Sequence, residues 1–106
     1  MATIASTPVL SGPALRQAIR EVVARHLDLT THEVYLFGSE AAGTANPRRS
    51  DIDIGILASA PVRPAVLQRI RDELEGIRTL RPFDVVDFRA VDDNFRLEAL
   101  AHAERL

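Results

Sequence analysis

The chain has 106 residues, of which 46% are hydrophobic and 26% are charged, and this composition indicates one small globular domain rather than a disordered chain. The formal net charge of -2 provides no overall attraction to nucleic acid or to an acidic membrane surface, so we expect no direct binding to either. The sequence contains no cysteine, which excludes disulfides and metal sites built from thiolates.

The first half of the chain is predicted to contain a long helix, a strand and a short helical turn. Residues 1–10 show no periodicity and are predicted to form a flexible N-terminus. Apolar residues then recur at helical spacing, which predicts an amphipathic helix from about residue 11 to residue 27. The run Glu33-Val34-Tyr35-Leu36-Phe37 is rich in β-forming residues and predicts a strand that ends at Gly38. A short helical turn is predicted over residues 39–42, followed by a polar loop.

The second half is predicted to contain two strands and two helices. Residues 51–57 alternate in character, so Asp51 and Asp53 share one face of a strand while isoleucines occupy the other. A second amphipathic helix follows, then a third strand over residues 83–88 and a last helix that reaches the C-terminus. This order of elements predicts a small α/β or α+β layered domain over residues 11–106.

The sequence also lacks the signals of export and of membrane insertion. No basic segment followed by an apolar run stands at the N-terminus, so no signal peptide is predicted. No apolar stretch approaches the roughly 20 residues that a helix needs to cross a bilayer. We therefore expect the chain in the cytoplasm.

Gly38 and Ser39 follow the first strand in a pattern that is compatible with a phosphate-binding turn. Glycine allows a sharp turn and a close approach of the backbone to a ligand. The helical turn after it directs free backbone N–H groups toward that ligand, together with the Ser39 hydroxyl. Taken alone, however, a Gly-Ser pair after a strand is most often an ordinary turn. Because the sequence has no lysine, any cation that binds phosphate here is an arginine or a metal.

Asp51 and Asp53 change that interpretation, because alternate positions on a strand project side chains to one face about 6–7 Å apart. Two carboxylates that face the same space repel each other unless a cation lies between them. Oxygen ligands of this kind suit Mg²⁺ or Mn²⁺, which bridge protein carboxylates and nucleotide phosphates. A solvated polar face is the alternative, but aspartate has poor strand propensity, which favours a functional reason for the pair.

A two-metal phosphoryl-transfer site needs a third carboxylate, and the third strand offers Asp84 and Asp87. The two are three positions apart, so on a regular strand they face opposite ways and only one of them reaches the site. Asp84 shares its face with Val86 and Phe88, whereas Asp87 shares its face with Val85. Periodicity alone leaves the choice between the two aspartates open.

The runs Gly38-Ser39-Glu40-Ala41-Ala42-Gly43-Thr44-Ala45 and Ser50-Asp51-Ile52-Asp53 closely resemble the signature of the minimal nucleotidyltransferases (MNT), which are small prokaryotic members of the polymerase β superfamily. Phe83-Asp84-Val85-Val86-Asp87-Phe88 resembles the third-acid strand of that family. The resemblance covers about residues 34–88. It implies a polymerase-β-like fold with a small mixed sheet of about three to four strands flanked by helices. Eleven residues separate Ser39 from Asp51, one more than is usual in the family.

The resemblance also implies ligands, site residues and a partner. Gly38 and Ser39 would bind the phosphates of ATP, and Asp51, Asp53 and Asp84 would bind one or two Mg²⁺ ions, with Mn²⁺ as an alternative. Asp84 would also act as general base. Members of the family are typically encoded beside a HEPN-domain RNase, and they neutralise it in toxin–antitoxin pairs, in some cases by transferring AMP from ATP to a tyrosine hydroxyl. We therefore expect a hetero-oligomer with a HEPN protein and transfer of AMP to it.

Two other functions are compatible with the same residues. A non-catalytic binding module could neutralise a HEPN partner by contact alone and retain a nucleotide site. The intact Gly-Ser pair and the paired aspartates favour the enzyme, since simple binding requires neither. Nucleotidylation of an antibiotic is the weaker alternative, because the larger nucleotidyltransferases carry a further domain that holds the acceptor.

Several charged residues near these motifs have more than one interpretation. Arg48 and Arg49 precede the acidic pair, and they are interpreted either as contacts to a triphosphate or an acidic partner or as residues of a solvated loop. Arg81 and other arginines near the third strand are interpreted as surface residues that serve solubility or a partner interface. Glu40 follows the Gly-Ser pair, where a carboxylate would oppose an incoming phosphate, so it is predicted to point toward solvent.

Overall fold

The computed structural model describes residues 9–43 and 50–106. Its helices are α1 (Gly12–Ala24), α2 (Gly38–Ala42), α3 (Pro64–Leu74) and α4 (Asp93–Ala101). Its strands are β1 (Glu33–Phe37), β2 (Ile52–Leu57), β3 (Phe83–Asp87) and β4 (Glu104–Arg105). In these two ranges, no helix has both the length and the apolar character that crossing a membrane requires.

The strands form one mixed sheet in the order β3-β2-β1-β4. Strand β1 runs antiparallel to both β2 and β4, whereas β2 and β3 run parallel. A parallel pair needs a crossover connection, and α3 forms it. This architecture confirms the predicted α/β (α+β) domain with a small mixed sheet flanked by helices.

The C-terminus differs from the predicted helix that continues to the last residue. Helix α4 ends at Ala101, and β4 pairs with Tyr35 and Leu36 on the edge of β1. The Leu106 N–H also donates to the carbonyl oxygen of Val34 at 2.8 Å. The edge of β1 offers backbone groups that need partners, whereas α4 has no buried residue that would favour its extension. A strand of two residues is too short to have a periodicity that sequence can reveal.

Helices α1 and α3 form the helical half of the core, because their apolar residues recur every three or four positions. The buried positions are Leu15, Ile19, Val22 and Val23 in α1 and Leu67, Ile70 and Leu74 in α3. They belong to one cluster with Ile52, Ile54 and Ile56 of β2, which are fully buried. Burial of each such aliphatic side chain contributes roughly 1.5–3 kcal/mol. One face of β2 is therefore held firmly against the helices.

The opposite face of the sheet carries an aromatic cluster beside the acidic residues. The buried ring of Phe88 lies over Gly55, where a Cβ atom would come within 2.1 Å of the ring. Phe37 packs against Phe88 with the ring centroids 5.3 Å apart, and the half-buried Tyr35 lies 6.4 Å from the same ring. Asp53 is two residues from Gly55 on this face. The cluster thus supports β2 directly beside the position of the acids.

Candidate functional site

Three aspartates approach one another at the end of the sheet where β2 and β3 begin. In the parallel register of these strands, Asp53 is paired with Asp84. Paired residues on neighbouring strands share a face, and their backbones lie about 5 Å apart. Asp51 immediately precedes β2, two residues from Asp53 and therefore on the same side. Asp51 and Asp84 are exposed and Asp53 is half-buried, so the group opens to solvent.

The electrostatics of this group act mainly on its half-buried member. Burial raises the pKa of Asp53, and the negative charges of Asp84 and Asp51 raise it further, while Arg81 opposes the shift. Burial and the two neighbouring charges therefore disfavour an ionised carboxylate at this position. A cation placed among the three carboxylates would reverse the repulsion.

The second aspartate of β3 has a different environment. Asp87 is paired with Ile56 on the core face of the sheet and is only 6% exposed. Its carboxylate accepts hydrogen bonds from the backbone N–H groups of Val62 at 2.8 Å and Arg89 at 2.9 Å. Asp87 therefore holds the segments before α3 and after β3, and it is Asp84 that the structure brings to Asp51 and Asp53.

Gly38 brings the turn after β1 into contact with the acidic group. Its φ angle is +67°, a left-handed conformation that a side chain disfavours. A Cβ atom at this position would lie 2.4 Å from Oδ2 of Asp53, so a larger residue would displace that carboxylate. Ser39 follows as the second residue of α2 and is partly exposed. The predicted phosphate-binding turn and the predicted metal ligands are therefore direct neighbours.

A buried ion pair that sequence reasoning missed joins the two parts of the site. Nη1 of Arg81 lies 2.7 Å from Oε2 of Glu40 in α2, and Nη1 of Arg16 in α1 lies 3.8 Å from Oε1 of Glu40. Nε of Arg81 donates to the carbonyl oxygen of Ser50 at 2.7 Å, and Nη2 donates to that of Asp51 at 3.4 Å. Arg81 thereby connects α2 to the backbone that enters β2.

Two predictions for charged residues are corrected by this arrangement. The side chain of Glu40 is only 12% exposed, so the prediction that it points toward solvent is wrong. The side chain of Arg81 is 8% exposed and is not a solubilising surface group. No local pattern indicates either role, because the partners are 41 positions apart in sequence. Arg48 and Arg49 lie outside the described residues.

The carboxylates of the site offer oxygen ligands that a divalent cation prefers. In the described ranges, no three or more His, Cys, Asp or Glu side chains are arranged to hold a metal ion by themselves. Mg²⁺ commonly binds to proteins through one or two carboxylates and takes its other ligands from water and substrate phosphates. The adjacent Asp53 and Asp84, with Asp51 beside them, match that mode. The residues therefore fit Mg²⁺ that is bound together with a nucleotide.

Comparison with known proteins places this geometry in a family. The sequence model of the family described as Polymerase beta, Nucleotidyltransferase matches residues 17–106. No curated protein sequence matches the chain significantly. A solved protein assigned provisionally to the minimal nucleotidyltransferases is 27% identical, with a TM-score of 0.66 over 86% of this chain and 88% of that one.

Two further solved structures share the fold at lower identity. A chain of a toxin–antitoxin complex with AMP-PNP is 22% identical, with a TM-score of 0.66 over 84% of this chain and 69% of that one. A chain of the complex between a tri-AMPylated Shewanella oneidensis HEPN toxin and its MNT antitoxin is 18% identical. Its TM-score is 0.61 over 86% of this chain and 67% of that one.

The family match includes β1, the turn at Gly38 and all three aspartates of the candidate site. It also extends through β4 to the last residue. The fold comparisons agree with it and confirm the resemblance to minimal nucleotidyltransferases. The chain therefore belongs to the polymerase β nucleotidyltransferase family.

Proposed function

We propose that the chain is an Mg²⁺-dependent nucleotidyltransferase that transfers AMP from ATP to a hydroxyl group of a HEPN-domain toxin and thereby acts as its antitoxin. The observation that carries this proposal is the pairing of Asp53 with Asp84 on neighbouring strands, with Gly38 packed against the Asp53 carboxylate. The solved toxin–antitoxin structures with AMP-PNP and with an AMPylated HEPN toxin support the choice of nucleotide and partner.

Each residue has a role that follows from its position. Asp51, Asp53 and Asp84 are the proposed ligands of one or two Mg²⁺ ions, and Mn²⁺ has the same preference for oxygen. The bound cation would offset the charge of the triphosphate and of the departing pyrophosphate. The backbone turn at Gly38 and the hydroxyl of Ser39 would contact the phosphates. Because carboxylates alone would repel a nucleotide, transfer should require the divalent cation.

The proposed reaction is a displacement at the α-phosphorus of ATP. The acceptor hydroxyl oxygen forms a bond to this phosphorus while the bond between the phosphorus and the oxygen that bridges to the β-phosphate breaks. Pyrophosphate leaves with the bonding electrons, and the hydroxyl proton passes to the carboxylate of Asp84. Asp84 is exposed, so a hydroxyl presented by another protein has access to it.

The direct test is transfer of label from α-labelled ATP to the HEPN-domain protein encoded next to the chain. We expect labelling by the wild-type chain with Mg²⁺, and none by Asp51→Asn combined with Asp53→Asn. Asp72→Asn is the matched control, because Asp72 is an exposed aspartate of α3 that lies outside the site. Undiminished labelling by the double variant would contradict the proposal.

The same variants distinguish neutralisation of the toxin by AMP transfer from neutralisation by binding alone. If transfer neutralises the partner, the double variant should fail to suppress toxicity even though it still binds the partner. Full suppression by a folded variant that transfers no label would instead identify a binding module. Circular dichroism and a pull-down of the partner provide the necessary controls for folding and for complex formation.

A further inference from the structure

A cleft of about 400 Å³ lies beside the candidate site, between α2 and α4. Gly38 and Ala42 line it from α2, together with Phe37, and the other side is formed by Phe95 and Glu98 of α4 and by His102, which follows α4. Most of its surface is apolar. Gly38 therefore belongs both to this cleft and to the wall of the acidic group, where its missing side chain leaves room for the Asp53 carboxylate.

The side of α4 that borders the cleft remains partly exposed. Phe95 and Glu98 are three positions apart and therefore share one side of the helix, and His102, which follows the last helical residue, also lines the cleft. None of the residues of α4 is buried, and Phe95 is 43% exposed. Its ring contacts Phe37 edge-on, with centroids 6.0 Å apart and planes at 88°. Because Phe95 stays partly exposed despite this contact, its ring is accessible to a planar ligand.

Two polar groups accompany this ring. The side chains of Glu98 and His102 have no hydrogen-bond or ion-pair partner in the part of the chain that the structure describes. A carboxylate accepts hydrogen bonds, and an imidazole donates or accepts them. An apolar cleft with one aromatic ring and these two groups matches a flat heterocycle that carries an amino group and ring nitrogens. A phosphate would be opposed by Glu98.

We propose that this cleft binds the purine base of the nucleotide whose phosphates lie at Gly38 and the aspartates; the inference rests on the proposed function. The base stacks on Phe95, and its amino group donates to Glu98. Adenine and guanine both satisfy this chemistry, whereas uracil is smaller and has no amino group. Since Gly38 borders both sites, one nucleotide can occupy them together.

The test compares a nucleotide probe with a probe that lacks the nucleoside. These are α,β-methylene ATP, which resists cleavage at the bond that transfer breaks, and inorganic triphosphate, both with Mg²⁺ and measured by calorimetry. The wild-type chain should bind the nucleotide more tightly than triphosphate by roughly 10-fold or more, since stacking of a base on an aromatic side chain has about this effect. Phe95→Ala should remove most of this preference and leave triphosphate binding unchanged.

Two further variants sharpen the test. Glu98→Gln should reduce the preference for ATP and GTP analogues over the UTP analogue. Leu97→Ala is the matched control, because Leu97 lies on the same helix at 66% exposure and does not line the cleft. It should bind both probes as the wild type does. If the wild type binds the ATP and GTP analogues with different affinities, the tighter of the two identifies the purine that the edge of the cleft selects.

The possible results bear separately on the assignment of the cleft as a base site and on the proposed transfer reaction. An unchanged ratio of the two affinities in Phe95→Ala overturns the assignment of the cleft, whatever the transfer assay shows. If that variant loses label transfer while its nucleotide preference is intact, the cleft serves the acceptor and the assignment is again overturned. If the preference follows Phe95 but the wild type transfers no label, the base site stands and the proposed reaction does not. Failure of both probes to bind the wild type contradicts both.

Discussion

Consecutive residues of β2 and β3 alternate between the two faces of the sheet, and the two faces differ in chemistry: one is buried against the helices, and the other exposes carboxylates. On the core face, Ile54 and Ile56 are fully buried against the helices, and the carboxylate of Asp87 is satisfied by two backbone N–H groups. On the other face, Asp53 and Asp84 are paired, and burial together with the charges of Asp84 and Asp51 raises the pKa of Asp53, a shift that Arg81 opposes.

The difference shows how a small domain can maintain an unfavourable cluster of charges. Burial of the apolar face stabilises the position of the strands. These rigid strands then hold the carboxylates of the acidic face close together. A carboxylate on the first face should therefore matter for stability, and one on the second should matter for ligand binding and chemistry. The following experiments compare matched residues on this basis.

The largest difference is expected between the two aspartates of β3. Asp84→Asn should reduce AMP transfer on the order of 100-fold or more, because it removes a proposed metal ligand, and should leave stability nearly unchanged. Asp87→Asn should reduce the free energy of unfolding by about 1–3 kcal/mol, because one of two buried N–H donors loses its carboxylate acceptor. Urea unfolding and label transfer, measured on both variants, check this. A stable, inactive Asp87→Asn together with an active Asp84→Asn would reverse the assignment.

A second comparison concerns two Arg–Glu pairs. Arg81→Gln should cost about 3 kcal/mol of stability, because Glu40 is left in a nearly buried position and, among the described residues, pairs only with Arg16 at 3.8 Å. Arg25→Gln breaks the exposed pair with Glu73 between α1 and α3 and should change stability little. Thermal unfolding of the two variants measures the difference. Equal shifts in melting temperature would show that burial does not distinguish the pairs.

A third comparison uses two glycines with the same backbone conformation. Gly38→Ala and Gly43→Ala should each cost about 1–2 kcal/mol, because their φ angles are +67° and +71°. Only Gly38→Ala should also lower transfer, since its Cβ would meet the Asp53 carboxylate, whereas a Cβ at Gly43 has nothing within 4 Å. Parallel measurements of unfolding and label transfer check this. Equal loss of transfer in both variants would mean that the backbone conformation of the glycine, and not its contact with Asp53, accounts for the loss.

The smallest expected effect concerns pH in the absence of metal. Because the pKa of folded Asp53 is raised, the folded state holds this proton more tightly than the unfolded chain does. Its ionisation therefore lowers stability as pH rises from below the ordinary carboxyl pKa through the raised value. Asp53→Asn should be more stable than the wild type near neutral pH in EDTA, and this gain should vanish under acidic conditions. A gain that is independent of pH would exclude ionisation as its cause.

Much of the fold follows from local patterns in the sequence. The apolar stripes of α1 and α3 and the alternation in β2 predicted their elements and their buried residues, because helical and strand periodicities are properties of consecutive residues. The short β4 was missed because pairing with the edge of β1, and not its own sequence, determines it. The prediction for residues 1–10 falls mostly on residues outside the described ranges, although Leu10 packs against the core.

The sequence by itself determined the family, the phosphate-turn motif and the presence of paired carboxylates, since these depend on residue types at short, nearly constant spacings. Only the tertiary structure shows that Asp84, which the family resemblance implies, lies beside Asp53 while Asp87 faces the core, because the register of two strands is set by contacts distant in sequence. The same holds for the pair of Glu40 with Arg81 and for the cleft beside α4. Burial and proximity arise when separate segments pack together, and no local pattern contains them.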